Sequence, residues 1–289
     1  MGATPPERVE PSSPFIAASA VMARAAGENF PVASRLLPRR VREHLLAIYG
    51  FARLVDELGD SFPGDRLAAL DWLEEELEAA YAGRAKNPLL VALAATLQEC
   101  RLPVEPFQRL IEANRADQRV KRYETFEQLR GYCHLSADPV GELVLGVFGL
   151  ATPLRIELSD SICTALQLAE HWQDVAEDMR AGRIYIPAED LERFCVRERD
   201  LAAPHASEAV RALLAFEVAR ARLELDRGAA LLGTLHGRSR LAVAAFLGGG
   251  RAALDSIERA RFDVLARAPR AGRARRALAT LAALMERAK

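Results

Sequence analysis

No apolar run in this chain approaches the roughly 20 residues needed to span a bilayer. The best candidate, Leu241 to Leu247, ends in Gly248-Gly249-Gly250, so the sequence predicts no transmembrane segment and leaves only peripheral membrane contact open. An excess of either charge is also missing. Lysine plus arginine number 39 against 40 for aspartate plus glutamate, a formal net charge of −1. Without a global field, nothing points to nucleic acid, and any anion site must be local. Cysteine is scarce and unpaired in sequence: Cys100, Cys133, Cys163 and Cys195 form no C-x-x-C unit. That argues against a zinc knuckle or a disulfide framework and reads as reduced thiols in a cytoplasmic protein. Residues Met1 to Phe15 lack the basic start and apolar stretch of a secretory signal, and 1–27 reads as a disordered lead-in.

β-Branched residues are sparse as well, which disfavours strands. Alanine, leucine, arginine and glutamate dominate instead, with apolar positions recurring at three-to-four spacing after Pro38. This is an all-α pattern, with helices expected at 39–59, 66–82, 88–100, 104–119, 125–149, 154–181, 206–236, 239–267 and 272–287. Proline or glycine marks the breaks between them. No linker or repeat divides the set, so 28–289 reads as one domain. No Gly-x-Gly run follows a strand, so a dinucleotide fold has no support, and Gly248-Gly249-Gly250 reads as a close helix approach.

Two stripes carry the chemistry. In YGFARLVDELGD, Tyr49, Arg53, Asp56 and Asp60 follow steps of four, three and four, which puts them on one helical face. An isolated D-x-x-x-D is usually a solvated acidic pair. The second stripe makes that ordinary reading less attractive: Gln167, His171, Asp174 and Asp178 repeat the same steps. Glu170, Asp174 and Asp178 also form an i, i+4, i+8 carboxylate row, whose repulsion calls for cations. Oxygen-only ligands suit Mg²⁺, which takes one or two carboxylates per ion and fills its shell with phosphate oxygens and water. The substrate class suggested is a diphosphate. Arg53, Arg183 and Tyr185 are placed to donate to its oxygens, although Arg183 reads equally well as a cation at a helix C-terminus. His171 is at least as suited to holding a neighbour as to acting as a base, and His44, His134, His205 and His236 form no spacing pattern. No signature of nucleophilic catalysis is present.

The segments FARLVDELGD and QDVAEDMRAGRIYIP resemble the two aspartate-rich motifs of the squalene/phytoene synthases. GYCHLSADPVGELVLGVFG resembles the helix between them, and the likeness runs from about Glu28 to Pro269. The resemblance implies an all-α isoprenoid (terpenoid) synthase fold around a central cavity, with Mg²⁺ ions at its mouth and prenyl chains in its depth. It assigns Asp56, Asp60, Asp174 and Asp178 to metal binding and catalysis, with Glu170 as a further metal ligand where the family usually has asparagine. Tyr49, Arg53, Arg183 and Tyr185 fall on the diphosphate side. Phe30, Tyr132, Ala137, Val140, Val144 and Phe148 match positions lining the prenyl pocket. Asp117, before KRY at 121–123, matches a further acidic position near the mouth, and Gln167 matches a polar cavity residue; Asp117 and His171 are candidates to support the ligands.

The ENFPVASRLLP start and HWQDV at 171–175 resemble the hydroxysqualene synthases within that family. This implies ionisation of presqualene diphosphate and capture of the cation by water, with no nicotinamide cofactor. Gln173 and Gln167 are then expected to orient the water. Such an enzyme would receive its substrate from, or pass its product to, other squalene-pathway enzymes. Two alternatives stand beside this reading: head-to-head condensation of two prenyl diphosphates, and an inactive helical assembly or binding protein on the same fold.

Overall fold

Seven of the eleven helices described begin where the orphaned amide groups find a partner or are not needed. The side chains of Asp65, Asn87, Thr125, Thr152 and Ser207 each accept a first-turn N–H, and Pro88, Pro106, Pro139 and Pro153 occupy first-turn positions where no N–H is required. The computed structural model describes residues 37–286, and among these no strand occurs. The expected lead-in and Phe30 lie outside the described residues.

The helices are α1 (Arg39–Asp56), α2 (Arg66–Tyr81), α3 (Pro88–Cys100), α4 (Glu105–Arg119), α5 (Phe126–Ser136), α6 (Asp138–Val147), α7 (Pro153–Arg180), α8 (Ala188–Arg193), α9 (Glu208–Gly228), α10 (Gly237–Arg259) and α11 (Arg273–Met285). The single helix expected over 125–149 is two. Pro139 lacks an N–H and clashes with the preceding turn, so the chain restarts at Asp138. The short α8 and the 3₁₀ turn Glu198–Ala202 were not anticipated, because neither is long enough to show a period.

Two apolar clusters meet along α6. Leu143 packs with Phe51, Leu54, Leu73, Leu93 and Phe107 from α1 to α4, whereas Leu145 joins the larger cluster around α7, α9 and α10. The fully buried Trp172 anchors α7 in that larger cluster. Glycines set two close crossings. A Cβ on Gly228 would lie 2.8 Å from the Leu158 carbonyl oxygen, and one on Gly248 would lie 2.6 Å from Thr280 Cα. Gly248 therefore lets α11 lie directly on α10, while Gly250 faces Leu166 of the long α7 and Leu225 of α9, the close approaches that a triple glycine within a helical pattern suggests.

Candidate active site

The first acidic stripe does not end as a regular α-helix. Residues Glu57–Ser61 form a π turn, which widens the helix and re-aims Asp60 relative to Asp56. The turn is clamped against α4: Gln118 Nε2 donates to the Gly59 carbonyl at 2.9 Å, and a Cβ on Gly59 would come within 2.9 Å of Asn114 Cγ. Tyr49 is buried on α1, and Arg53 donates to Asp56 at 3.3 Å.

The second stripe lies on α7, which Gly182 terminates at φ 80°. That left-handed residue lets the chain double back, with the Arg183 amide bonding the Asp178 carbonyl at 2.8 Å and the Ile184 amide reaching Lys121. The guanidinium of Arg183 is thereby carried to Asp60, 2.8 Å away across 123 residues of sequence. Arg183 is only 22% exposed and is a bridge between the two motifs instead of a surface cation.

Behind this bridge sits a polar and aromatic cluster. Tyr132 donates to Asp117 at 2.9 Å, and the rings of Tyr123, Tyr132 and Tyr185 pack together. His171 stacks on Tyr185 with centroids 3.6 Å apart, and its Nε2 lies 3.2 Å from Gln167 Nε2. Burial and the nearby Arg183 charge lower the His171 pKa to about 3, so the imidazole is neutral and accepts from the Gln167 amide. Burial raises the Asp117 carboxyl, and it lifts Asp178 to about 7 with the Asp174 charge adding to the effect.

An apolar cavity of about 190 Å³ opens beside the second stripe. Ala137, Val140 and Val144 line it from α6, Leu166, Gln167 and Glu170 from α7. Phe246 of α10 adds a wall that the sequence reading did not single out. Two expected pocket residues lie elsewhere. Tyr132 is directed to Asp117, and Phe148 packs with Leu37, Leu45 and Val144.

Gln173, expected to orient a water, is placed away from that cavity. Its amide donates to Ser256 Oγ at 3.1 Å and to the Pro269 carbonyl at 2.5 Å, and its oxygen accepts from Arg270 at 3.2 Å. The side chain is 2% exposed and outside the lining of the large cavity. Its hydrogen bonds pin the segment before α11. That segment also delivers Arg270 to Asp174 at 2.6 Å, a site contact missed in the sequence because Arg270 sits in a short irregular stretch.

The oxygen donors of Asp56, Asp60, Glu170, Asp174 and Asp178 fit a hard divalent cation, and Asp117 Oδ1 is buried without a hydrogen-bond partner nearby. No three of these carboxylates bring their oxygens within 4.8 Å of one another. Among the described residues, the group whose ligating atoms lie within 4.8 Å of one another is a different one, His134, Asp138 and Asp160. His134, which shows no pattern in sequence, lies 3.4 Å from Asp138. Burial raises Asp138 and Asp160 each to about 7.

A family model described as Squalene/phytoene synthase matches residues 23–280. The chain is 35% identical over 252 residues to a phytoene synthase of Arthrospira platensis, covering 82% of each. It is 35% identical over 216 residues to a hydroxysqualene synthase of Zymomonas mobilis, covering 72% of this chain and 71% of that one. The crystal structure of squalene synthase HpnC from Alicyclobacillus acidocaldarius superimposes with a TM-score of 0.79 at 46% identity, over 85% of this chain and 94% of the other. No helix among the described residues is long and apolar enough to cross a membrane.

Proposed function

Because the chain belongs to the squalene/phytoene synthase family, whose members process prenyl diphosphates, we propose that it converts presqualene diphosphate and water to hydroxysqualene and diphosphate. The observation that carries this reading is the Arg183–Asp60 bridge between the two motifs, connected through His171, which shares a small pocket with Arg183, to Gln167 on the wall of an apolar cavity. Residues 28–289 act as one catalytic domain in this reading.

Asp56 and Asp60 on one side, with Glu170, Asp174 and Asp178 on the other, would hold Mg²⁺. The ion supplies charge that neutralises the leaving diphosphate. Arg53, Arg183 and Tyr185 donate hydrogen bonds to the same phosphate oxygens and lower the barrier to carbon–oxygen heterolysis. Arg183 is suited to this because its ion pair with Asp60 is positioned before substrate arrives. The departing diphosphate keeps the bonding electron pair, and the cyclopropylcarbinyl cation left behind rearranges in the apolar cavity. Water then adds to it and loses a proton, giving the alcohol. With Gln173 committed to the Pro269 segment, Gln167 is the amide left at the cavity wall to hold that water. Its orientation is set by neutral His171, which receives one of its N–H bonds. A neutral pair beside the cavity avoids placing a second positive charge near a carbocation.

Head-to-head condensation of two prenyl diphosphates is the second reading, favoured by the 35% identity to a phytoene synthase. One experiment separates the two. Purified protein with Mg²⁺ and presqualene diphosphate, without nicotinamide, is expected to release diphosphate and form hydroxysqualene carrying ¹⁸O from labelled water. Turnover of farnesyl or geranylgeranyl diphosphate alone, with no alcohol from presqualene diphosphate, would establish the condensation instead.

A further inference from the structure

Among the described residues, none packs against the outer face of α11. Ala283 marks the buried side of this helix, which rests on α10 through the Gly248 crossing. On the opposite side, Ala274, Leu278, Leu281 and Met285 follow steps of four, three and four and form one exposed stripe. Leu278 is 67%, Leu281 55% and Met285 75% exposed, which places them among the most exposed large apolar side chains described. Scattered apolar residues on a surface need no explanation, but a stripe along one helix does.

The charges around the stripe say what it meets. Between Asp263 and Glu286 the chain carries Arg267, Arg270, Arg273, Arg275 and Arg276 and no acidic residue, although the whole protein has a net charge of −1. Arg273 and Arg275 are exposed and flank the apolar stripe on either side, as helical spacing requires. Arg270 and Arg276 face inward and line a small cavity with Glu170 and Gln173, so this helix begins at the edge of the candidate active site. An apolar stripe flanked by arginines on a helix of low overall hydrophobicity suits the interface of an anionic bilayer.

We propose that α11 is an interfacial helix that docks this protein on anionic lipid, with Leu278, Leu281 and Met285 among the acyl chains and Arg273 and Arg275 at the headgroups. Docking there sets the cavity beside the membrane, the phase in which a prenyl substrate dissolves. That use rests on the function proposed above, whereas the docking itself does not.

Co-sedimentation of the full chain with lipid vesicles tests it. Vesicles of phosphatidylcholine containing about one third phosphatidylglycerol are expected to bind the protein, with little binding to phosphatidylcholine alone and release at about 0.5 M NaCl. Arg273→Glu with Arg275→Glu, and separately Leu278→Asp with Leu281→Asp, should each lower the partition coefficient by tenfold or more, since one basic residue near such a surface contributes about fivefold. Both double variants should keep wild-type turnover of detergent-dispersed presqualene diphosphate. If wild type turns over no substrate yet binds vesicles, the function fails and the docking stands. Equal binding to neutral vesicles, or unchanged binding by both variants, overturns the proposal. So does a solution dimer that Leu278→Asp with Leu281→Asp dissociates without any vesicle binding, and so does binding that emerges only after residues 1–36 are removed.

Discussion

Arg270 donates to Asp174 at 2.6 Å, joining the first carboxylate of the second aspartate stripe to the segment that leads into the last helix. The contact spans 96 residues and places a permanent cation where diphosphate and metal charge would be balanced. Arg270→Ala is expected to lower kcat/KM by about ten- to a hundredfold, a loss of about 1.4–2.7 kcal/mol of transition-state stabilisation, while helical circular dichroism is unchanged. A variant as fast as wild type at every Mg²⁺ concentration would show that Arg270 only ties down the chain.

Asp56→Asn and Asp174→Asn each remove one charge from the two stripes without changing side-chain volume. Each should reduce turnover by roughly two to four orders of magnitude, and chelation should abolish wild-type activity until Mg²⁺ is restored. Activity that persists in excess chelator would remove the metal from the mechanism.

Gln173→Leu should behave as a loss of bracing. It removes the three hydrogen bonds that tie α7 to Ser256, the Pro269 carbonyl and Arg270, at a cost of about 1–3 kcal/mol, while the Ser256–Pro269 and Arg270–Asp174 bonds stay in place. Diphosphate release and alcohol yield should then fall together at a constant product ratio. In contrast, Gln167→Leu should raise rearranged or eliminated hydrocarbons relative to alcohol. A shifted product ratio in Gln173→Leu with normal diphosphate release would return the water-positioning role to Gln173.

Asp138 and Asp160 make a pH prediction with a definite sign. Both carboxyls are raised to about 7, above the ordinary value of 3.8, chiefly by burial. The folded protein therefore binds more protons than the unfolded chain between those values, so this contribution is fully present below about pH 4 and is lost as pH rises through 7. Asp160→Asn removes the penalty. Because Asp160 is only partly buried, the gain is about 1 kcal/mol, seen as a melting temperature about 2–4 °C above wild type at pH 8 and little changed at pH 4. A variant less stable than wild type at pH 8 would mean that the charged carboxylate is used, as a ligand for a cation held with His134 and Asp138.

Several of these features are legible from the residues alone. The breaks at Pro63-Gly64, Pro88, Pro103, Pro153 and Gly182 fall at helix ends. Asp174 and Asp178 share a helix with Gln167 and His171 at the spacing that the sequence displays. Other features are local but were misjudged. Pro139 splits one expected helix into α5 and α6, and the π turn at Glu57–Ser61 interrupts a stripe that looks regular.

Helical periodicity and capping are properties of neighbouring residues, so the all-α architecture and the two acidic stripes follow from the sequence by itself. Which amide faces the cavity, and which is spent elsewhere, depends on segments that meet only after α10 and α11 have packed. Six residues turn the side chain by about 240° around the helix, so spacing alone puts Gln167 and Gln173 on different faces of α7. Which of those faces meets the cavity is decided by the tertiary structure, through the packing of α10 and the segment before α11. One amide then reaches His171 at the cavity wall, and the other reaches the Pro269 carbonyl behind it.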